Sequence, residues 1–329
     1  MVDGVLRAVS SILAPAGPRS RLSTLIFHRV LAAPDSIVDE PTAEQFEQLL
    51  TWIRRQFQVI SLADAVDGLR HDTLPYRPLV ITFDDGYADN HRIAAPILKR
   101  LGLPATFFIA SGYLDGGRMF NDAVIIAMRD CRSSEVDLLE LGLGCHLLNS
   151  IEDRRHACSV LLPKIKVLAI DQRDTVAERI CELANVSPPN DLMMSSAQVA
   201  ALHRDGFEIG AHTVTHPILA KLDPIVAKKE IADGRRQLEE IIGGRVRFFA
   251  YPNGRPHEDY NLQTVALVRE LGFDAALTTA RGVANRGVDL FQLPRFTPWD
   301  RSRFRFGLRM ARNMLSTNLG AAPSAVTSA

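Results

Sequence analysis

Two adjacent carboxylates, Asp84 and Asp85, follow an apolar run in the segment TFDDGY at positions 82–87. Two carboxylates at the end of a buried strand are costly unless a cation or protons neutralise them. Because adjacent residues leaving a strand point in different directions, one carboxylate can bind a metal while the other faces a substrate as a base. The alternative is an Asp-Asp-Gly turn in a surface loop, and this motif alone does not decide between the two.

A second group of potential ligands is the pair His212 and His216, which follows the apolar run FEIGA at 207–211. Two threonines and a valine fill the spacing and Pro217 comes next, so the pair differs from the helical HExxH zinc motif. A strand end that curls into a turn would let both imidazoles converge on one ion. The spacing therefore favours a metal site over two structural histidines.

A third motif, YPNG at 251–254, follows another apolar run. A Pro-Asn-Gly turn brings backbone N–H groups to the end of the strand, where they could stabilise an oxyanion. A simple turn between a strand and a helix would have the same sequence, so this motif is weak by itself.

All three motifs end short apolar runs that we interpret as strands buried on both faces, as in a parallel sheet. The runs are TLIFH (24–28), PLVITF (78–83), ATFFIA (105–110), FEIGA (207–211), VRFFAY (246–251), AALTT (275–279) and FQLPRF (291–296). Helical patterns separate most of them, which predicts an α/β fold with a parallel sheet, open or closed. Seven strands would fit an incomplete barrel.

The segment from about 111 to 196 interrupts this alternation, because it contains helical stripes but no convincing strand. Ser150 with Asp153 resembles a capping box at the start of one of its helices. A structureless connection of this length is unusual inside a compact domain. We therefore expect a helical insertion that lies against or over the mouth of the barrel.

The three motifs in this order resemble the polysaccharide deacetylase family, which is the NodB-homology group or carbohydrate esterase family 4. The similarity extends from about Leu25 to Phe296 and is interrupted by the insertion. It implies a distorted (β/α)7 barrel, here with a helical insertion after the third strand. It also implies a divalent-metal-dependent hydrolase that removes N-acetyl, or sometimes O-acetyl, groups from sugars.

The resemblance also assigns roles by position. One divalent ion, zinc with cobalt or nickel as alternatives, would be held by Asp85, His212 and His216. Asp84 would be the general base, and the backbone N–H of Asn253 would help the metal to hold the oxyanion. The candidate substrate or oxyanion contacts are Tyr251, Asn253 and Arg295.

Two positions depart from the family pattern. Ala250 stands where the family has an arginine that orients the base, and Arg295 stands where it has the general-acid histidine. A permanently charged guanidinium cannot donate a proton at neutral pH, so Arg295 would orient a carboxylate or bind substrate instead. His28, at the end of the first strand, is the best replacement acid; the alternative is a buried strand histidine with a structural role.

The composition sets further limits. The 329 residues carry 38 Lys and Arg against 38 Asp and Glu, so we expect no nucleic-acid partner. No apolar run approaches the ~18 residues that cross a bilayer. The four cysteines form no CxxC pair, which favours free thiols in a reducing compartment. We recognise no secretion signal and expect a cytoplasmic location, with a peripheral position at the inner membrane as the second option.

The chain divides into an amphipathic segment at 1–20, the barrel at 21–300, and a basic segment with a disordered tail at 301–329. The basic segment could contact an anionic membrane or a carrier lipid, although a solvated helix is the simpler interpretation. The sequence thus predicts a metal-dependent enzyme that deacetylates an N-acetylated polysaccharide or lipid-linked glycan. The alternatives are an O-acetyl esterase on the same scaffold and a glycan-binding protein without catalysis. The oligomeric state is not predicted.

Overall fold

The computed structural model describes residues 2–298, 300 and 302–316, without the side chains of residues 2, 3, 5 and 6. In this part of the chain the strands are β1 (Ser23–Phe27), β2 (Gln58–Val59), β3 (Pro78–Phe83), β4 (Thr106–Ile109), β5 (Glu135–Asp137), β6 (Cys145–Leu147), β7 (Glu208–Ala211), β8 (Phe248–Ala250) and β9 (Ala275–Leu277). The α-helices are α1 (Val2–Leu13), α2 (Ala43–Gln56), α3 (Leu62–His71), α4 (Ala95–Leu101), α5 (Phe120–Asp130), α6 (Ile151–Lys166), α7 (Ile170–Leu183), α8 (Ser196–Arg204), α9 (Pro224–Ile242), α10 (Leu262–Glu270) and α11 (Arg303–Leu315).

Seven of the strands form one parallel sheet in the order β1-β3-β4-β7-β8-β9, with β2 paired to β3. The predicted strand at 291–296 is only partly formed. Leu293 pairs with Leu277 beside β9, and Phe296 pairs with Leu25 in β1, so this segment joins the two edges of the sheet. Pro294 lies between them and has no N–H to donate to a ladder, which limits the segment to isolated bridges.

The strands are buried on both faces, as their continuous apolar runs predict. In β3, Leu79, Ile81 and Phe83 pack outward in the main core, whereas Val80 belongs to the cluster of side chains inside the barrel. Phe108 fills much of this interior. A Cβ added to Gly210 would lie 2.3 Å from the Phe108 ring, so a glycine is required at that point of β7.

Local sequence signals set several helix ends. Ser150 and Asp153 form the predicted capping box at the start of α6, with N–H to oxygen distances of 3.0 Å in both directions. Gly102 and Gly243 end α4 and α9 in the left-handed conformation, with φ of 65° and 64°. Because α4 and α9 end at these glycines, the chain can turn there and enter the next strand of the barrel.

The inserted segment contains α5, α6 and α7, which pack around a small hydrophobic core of their own. It also contains a hairpin of β5 and β6 that the sequence analysis missed. These strands are only three residues long and lie on either side of Gly142 and Gly144, both of which have positive φ. Val136 is the one buried residue of the two strands, so they lack the continuous apolar run by which a strand buried on both faces is recognised.

Helix α11 packs its apolar side on α1 and on the barrel. Phe306 and Met310 are fully buried, and the Phe306 ring lies 6.4 Å from the ring of Trp52. The tail at 321–329, predicted to be disordered, lies outside the described residues. Among the residues that are described, we find no helix with both the length and the apolar character needed to cross a membrane.

Candidate metal centre

The carboxyl ends of β3 and β7 bring three potential metal ligands together. Asp85 Oδ1 lies 3.5 Å from His212 Nε2 and 3.5 Å from His216 Nε2. All the ligand atoms of the three residues lie within 4.8 Å of one another. Two imidazole nitrogens and one carboxylate oxygen form a donor set suited to zinc and similar divalent ions.

The surroundings of Asp85 fit a bound cation. Its side chain is buried, and Oδ1 has no hydrogen-bond partner among the described residues. Burial alone would raise the pKa of this carboxyl, but the adjacent imidazole of His212, more than any other neighbour, lowers it well below its usual range. A buried, ionised oxygen without a hydrogen-bond donor is costly unless an ion compensates it.

His212 is held in the tautomer that a metal ligand needs. It is 1% exposed, and its Nδ1 lies 2.7 Å from the carbonyl oxygen of Ala250. Because a carbonyl can only accept a hydrogen bond, Nδ1 carries a proton, and Nε2, which faces Asp85, is the nitrogen that would bind the ion. The backbone of Ala250 thus orients a ligand from the position where the family pattern has an arginine.

His216 reaches the site through a tight loop that begins at Thr213. Both residues have positive φ, 67° for Thr213 and 53° for His216. Glu230 on α9 fixes this loop by accepting hydrogen bonds from the N–H groups of residues 214 and 215, at 3.0 and 2.9 Å. Gly234 lets α9 approach closely, since a Cβ there would lie 2.7 Å from the Thr213 carbonyl carbon. Burial lowers the pKa of His216 to about 3, which keeps the imidazole neutral.

Arg295 forms a buried bidentate ion pair with Asp84. Nη1 donates to Oδ1 at 2.6 Å and Nη2 donates to Oδ2 at 2.7 Å, and Nε donates to the Thr278 carbonyl at 2.9 Å. Burial would raise the pKa of Asp84, but Arg295 first and His212 second lower it, so the carboxylate stays charged. Of the two roles predicted for Arg295, its geometry is that of a group that orients a carboxylate.

These groups face a cavity of about 800 Å³ beneath the insertion. It is lined by the catalytic and metal-site candidates His28, Asp84, Asp85, His212, His216 and Asn253, by residues from the insertion (Met119, Phe120, Asn121, Leu162, Pro163, Lys166, Val167 and Arg173), and by Ile218, Lys221, Arg255, Glu258, Asp259 and Thr279. Parallel register sets Phe27 opposite Phe83, so His28 leaves β1 beside Asp84. The cavity therefore contains the predicted base, the predicted acid and the three predicted ligands.

Tyr251 does not lie in this cavity, and its prediction as a substrate or oxyanion contact is wrong. Its side chain is fully buried and stacks on Tyr260 with ring centroids 4.1 Å apart. The hydroxyl donates to the Phe291 carbonyl at 2.9 Å, and the backbone N–H donates to Leu277 at 3.1 Å. Tyr251 points away from the cavity because successive residues of a strand point to opposite faces. Ala250 faces the barrel interior, and Tyr251 therefore faces outward.

Arg173, which the sequence analysis did not single out, joins the insertion to the metal-ligand loop. It is 4% exposed and donates to the Thr215 carbonyl at 2.8 Å and to the Tyr113 hydroxyl at 3.0 Å. Its guanidinium also lies 4.7 Å from the centre of the Phe120 ring. A single arginine on a helix carries no motif that would have identified this role.

Asp122 is a second link between the insertion and the loop after β3. It is 5% exposed, and its carboxyl oxygens lie 3.2 and 3.3 Å from the hydroxyl of Tyr87. Burial is the main cause that raises the pKa of Asp122 to about 7, against the lowering effect of Arg29. An unfolded aspartate titrates near 3.9. At pH values between these two pKa values, Asp122 keeps its proton in the folded protein but has lost it in the unfolded protein.

We therefore expect the free energy of unfolding to fall as pH rises from about 4 to 7, by up to about 4 kcal/mol from this group. Asp122→Asn keeps a hydrogen-bonding side chain but cannot titrate, so its unfolding free energy should change less over this window. Urea unfolding of metal-free protein at pH 5 and pH 8 measures the difference. The exposed residue Asp171 gives a control, Asp171→Asn. Equal slopes for wild type and Asp122→Asn would contradict the prediction.

Fold and site together define an α/β barrel whose candidate metal site and buried carboxylate lie at the carboxyl ends of its strands. A family model described as polysaccharide deacetylase matches residues 71–139 and 170–276. The chain belongs to this family, and the resemblance noted from the motifs is confirmed. The unmatched stretch between the two segments contains β6 and all of α6.

Individual proteins agree with this assignment. The chain is 22% identical over 278 residues to "Putative polysaccharide deacetylase YxkH" of Bacillus subtilis, covering 84% of this chain and 71% of the relative. Among solved structures, the Streptococcus pyogenes deacetylase PplD matches with a TM-score of 0.59 and 18% identity over 90% of this chain and 99% of its own. IcaB from Ammonifex degensii matches with a TM-score of 0.58 and 20% identity over 92% and 99%. The predicted (β/α)7 barrel fold is confirmed by these matches.

Proposed function

We propose that this protein is a metal-dependent deacetylase that hydrolyses the N-acetyl group of an amino sugar in a glycan. One observation carries the proposal: an ionised, buried Asp84 lies beside the Asp85, His212 and His216 triad in a single cavity. A protein that only binds a metal or a sugar has no need of a second carboxylate kept charged at this position. Membership of the polysaccharide deacetylase family supports the same chemistry.

A divalent ion on Asp85, His212 and His216 would polarise the acetyl carbonyl and lower the pKa of a water molecule. Zinc suits two imidazoles and one carboxylate, and cobalt or nickel are the alternatives. Three protein donors leave room for water and for the substrate. The orphaned Oδ1 of Asp85 supports a bound cation here.

The chain's own residues supply the proton transfers. Asp84 accepts the proton of the attacking water, and Arg295 keeps its carboxylate ionised and fixed in direction. The backbone N–H of Asn253, which lines the cavity, donates to the oxyanion. His28 gives a proton to the departing amine, since Arg295 cannot do so.

The size of the cavity indicates how large a part of the substrate can bind in it. A volume of about 800 Å³ is typical of small-molecule sites, and the insertion forms one side of it. This favours a short or terminal portion of a glycan over the middle of a long, unbranched polymer. The departures from the family pattern at Ala250 and Arg295 do not argue for a non-catalytic glycan-binding protein, because Arg295 itself orients Asp84.

The test is acetate release by the full chain from N-acetylated and O-acetylated oligosaccharides, before and after removal of metal with EDTA and after addition of zinc, cobalt or nickel. We expect release from N-acetylated substrates that is lost with EDTA and restored by a metal. Release from O-acetylated substrates alone would replace the proposal with the esterase. A metal-loaded protein that releases acetate from neither class would contradict both.

A further inference from the structure

A second cavity of about 460 Å³ adjoins the first and shares His28, Lys166, Asn253, Arg255 and Thr279 with it. Its remaining lining consists of Arg281, Arg295, Phe296, Thr297 and Arg309. Arg295 forms an ion pair with Asp84, which leaves four other cationic side chains in the lining of the second cavity. They are Lys166, Arg255, Arg281 and Arg309. We call this cavity the basic groove.

The basic groove has an excess of positive charge, since no carboxylate lines it. Arg255 has Glu258 at 3.3 Å and Arg309 has Asp300 at 3.0 Å. Within the described part of the chain, neither Lys166 nor Arg281 has a carboxylate oxygen within 4.0 Å. Like charges gathered without counter-charges repel one another, and a bound anion would relieve that repulsion.

The surroundings of Lys166 disfavour its charged form when no anion is bound. Burial is the main cause that lowers the pKa of its ammonium group, and the nearby Arg255 and Lys221 lower it further. The carboxylates of Glu258 and Asp259 oppose the effect, but both line the first cavity rather than the groove. Asp259 already accepts the backbone N–H of Arg255 at 3.0 Å.

Three of the four cations of the groove lie outside the part of the chain that the family model matches. These three are Lys166, Arg281 and Arg309. They come from α6 in the insertion, from the loop after β9 and from α11. Three separate elements thus contribute cations to one space beside His28 and Asn253.

We propose that the basic groove binds a phosphate group carried by the acetylated substrate, next to the sugar from which the acetyl group is removed. Guanidinium groups match phosphate oxygens bidentately, and a phosphate group keeps one negative charge as a diester and up to two as a monoester, so either form complements the cations of the groove. The phosphate could belong to the glycan itself or link it to a carrier lipid. This inference deepens the proposed function and rests on it for the position of the acetyl group.

The test compares acetate release from N,N′-diacetylchitobiose, from its 1-phosphate and from its farnesyl phosphodiester. We expect the wild type to prefer the 1-phosphate by at least about tenfold in kcat/KM, mainly through KM. The double variant Lys166→Gln with Arg281→Gln should reduce this preference towards one. The matched control, Lys164→Gln with Arg286→Gln, changes exposed cations of the same helix and the same loop outside the groove and should retain it. A further gain with the farnesyl diester would assign the phosphate to a lipid-linked sugar, and no further gain would assign it to the glycan.

A binding measurement separates this inference from the proposed function. Inorganic phosphate is titrated calorimetrically into the metal-reconstituted full chain, the double variant and the control. We expect affinity to fall by about tenfold or more in the double variant only, whether or not any substrate releases acetate. Equal phosphate affinity in the three proteins, or a wild type without preference for the 1-phosphate while it deacetylates the neutral sugar, would overturn the inference.

Discussion

Asp84→Asn should lower acetate release by roughly two to four orders of magnitude, because the attacking water loses the group that accepts its proton. The metal ligands are untouched by this change, so the variant should still bind one divalent ion per chain. Acetate release and metal content measured on the same preparation test both points. An Asp84→Asn protein with wild-type acetate release would show that another group is the base.

The same substitution should also destabilise the protein. It leaves the Arg295 guanidinium buried without its counter-charge, and removing one partner of a buried pair costs about 3–5 kcal/mol. Asp84→Asn with Arg295→Met removes both charges, so the double variant should recover much of the unfolding free energy but none of the activity. Urea unfolding and acetate assays on the four proteins of this cycle separate the two effects.

An ion pair at the surface of α9, whose aspartate is only partly buried, supplies the control for this cycle. Arg236 donates to Asp233 at 3.0 Å, with the arginine side chain 61% exposed. Asp233→Asn should change the unfolding free energy by less than about 1 kcal/mol. If Asp84→Asn were no more destabilising than Asp233→Asn, Arg295 would not depend on Asp84 for its charge balance.

Much of the barrel could be predicted from the sequence, because strands buried on both faces produce continuous apolar runs that stand out along the chain. The metal ligands were predictable for a related reason: Asp85 and the two histidines directly follow such runs, and parallel strands end at one edge of the sheet. The hairpin of β5 and β6 and the two-residue strand β2 are largely exposed and have no continuous apolar run. Burial therefore decided which strands the sequence revealed, since β8 and β9 are also three residues long but are fully buried.

The part of the site that was not predictable depends on contacts between distant elements. The sequence showed that Arg295 could orient a carboxylate or bind substrate, but only the closure of the sheet by residues 293–296 puts it against Asp84. Arg173 and Glu230 fix the metal-ligand loop from separate helices and carry no local signal. The position of Tyr251, in contrast, was open to prediction, because strand alternation places it on the opposite face from Ala250.

His28→Gln should lower acetate release from N-acetyl sugars by about 10²–10⁴-fold while leaving metal content unchanged, because an amine is a poor leaving group unless it is protonated. An aryl acetate such as 4-nitrophenyl acetate releases a phenolate that leaves without a proton. The same variant should therefore retain most of its activity on this ester, whereas Asp84→Asn should lose activity on both substrates. His156→Gln, an exposed substitution on α6 outside the cavity, is the control. Equal losses on the amide and the ester would make His28 a substrate-binding or structural residue, and no loss on either would place the acid elsewhere in the cavity.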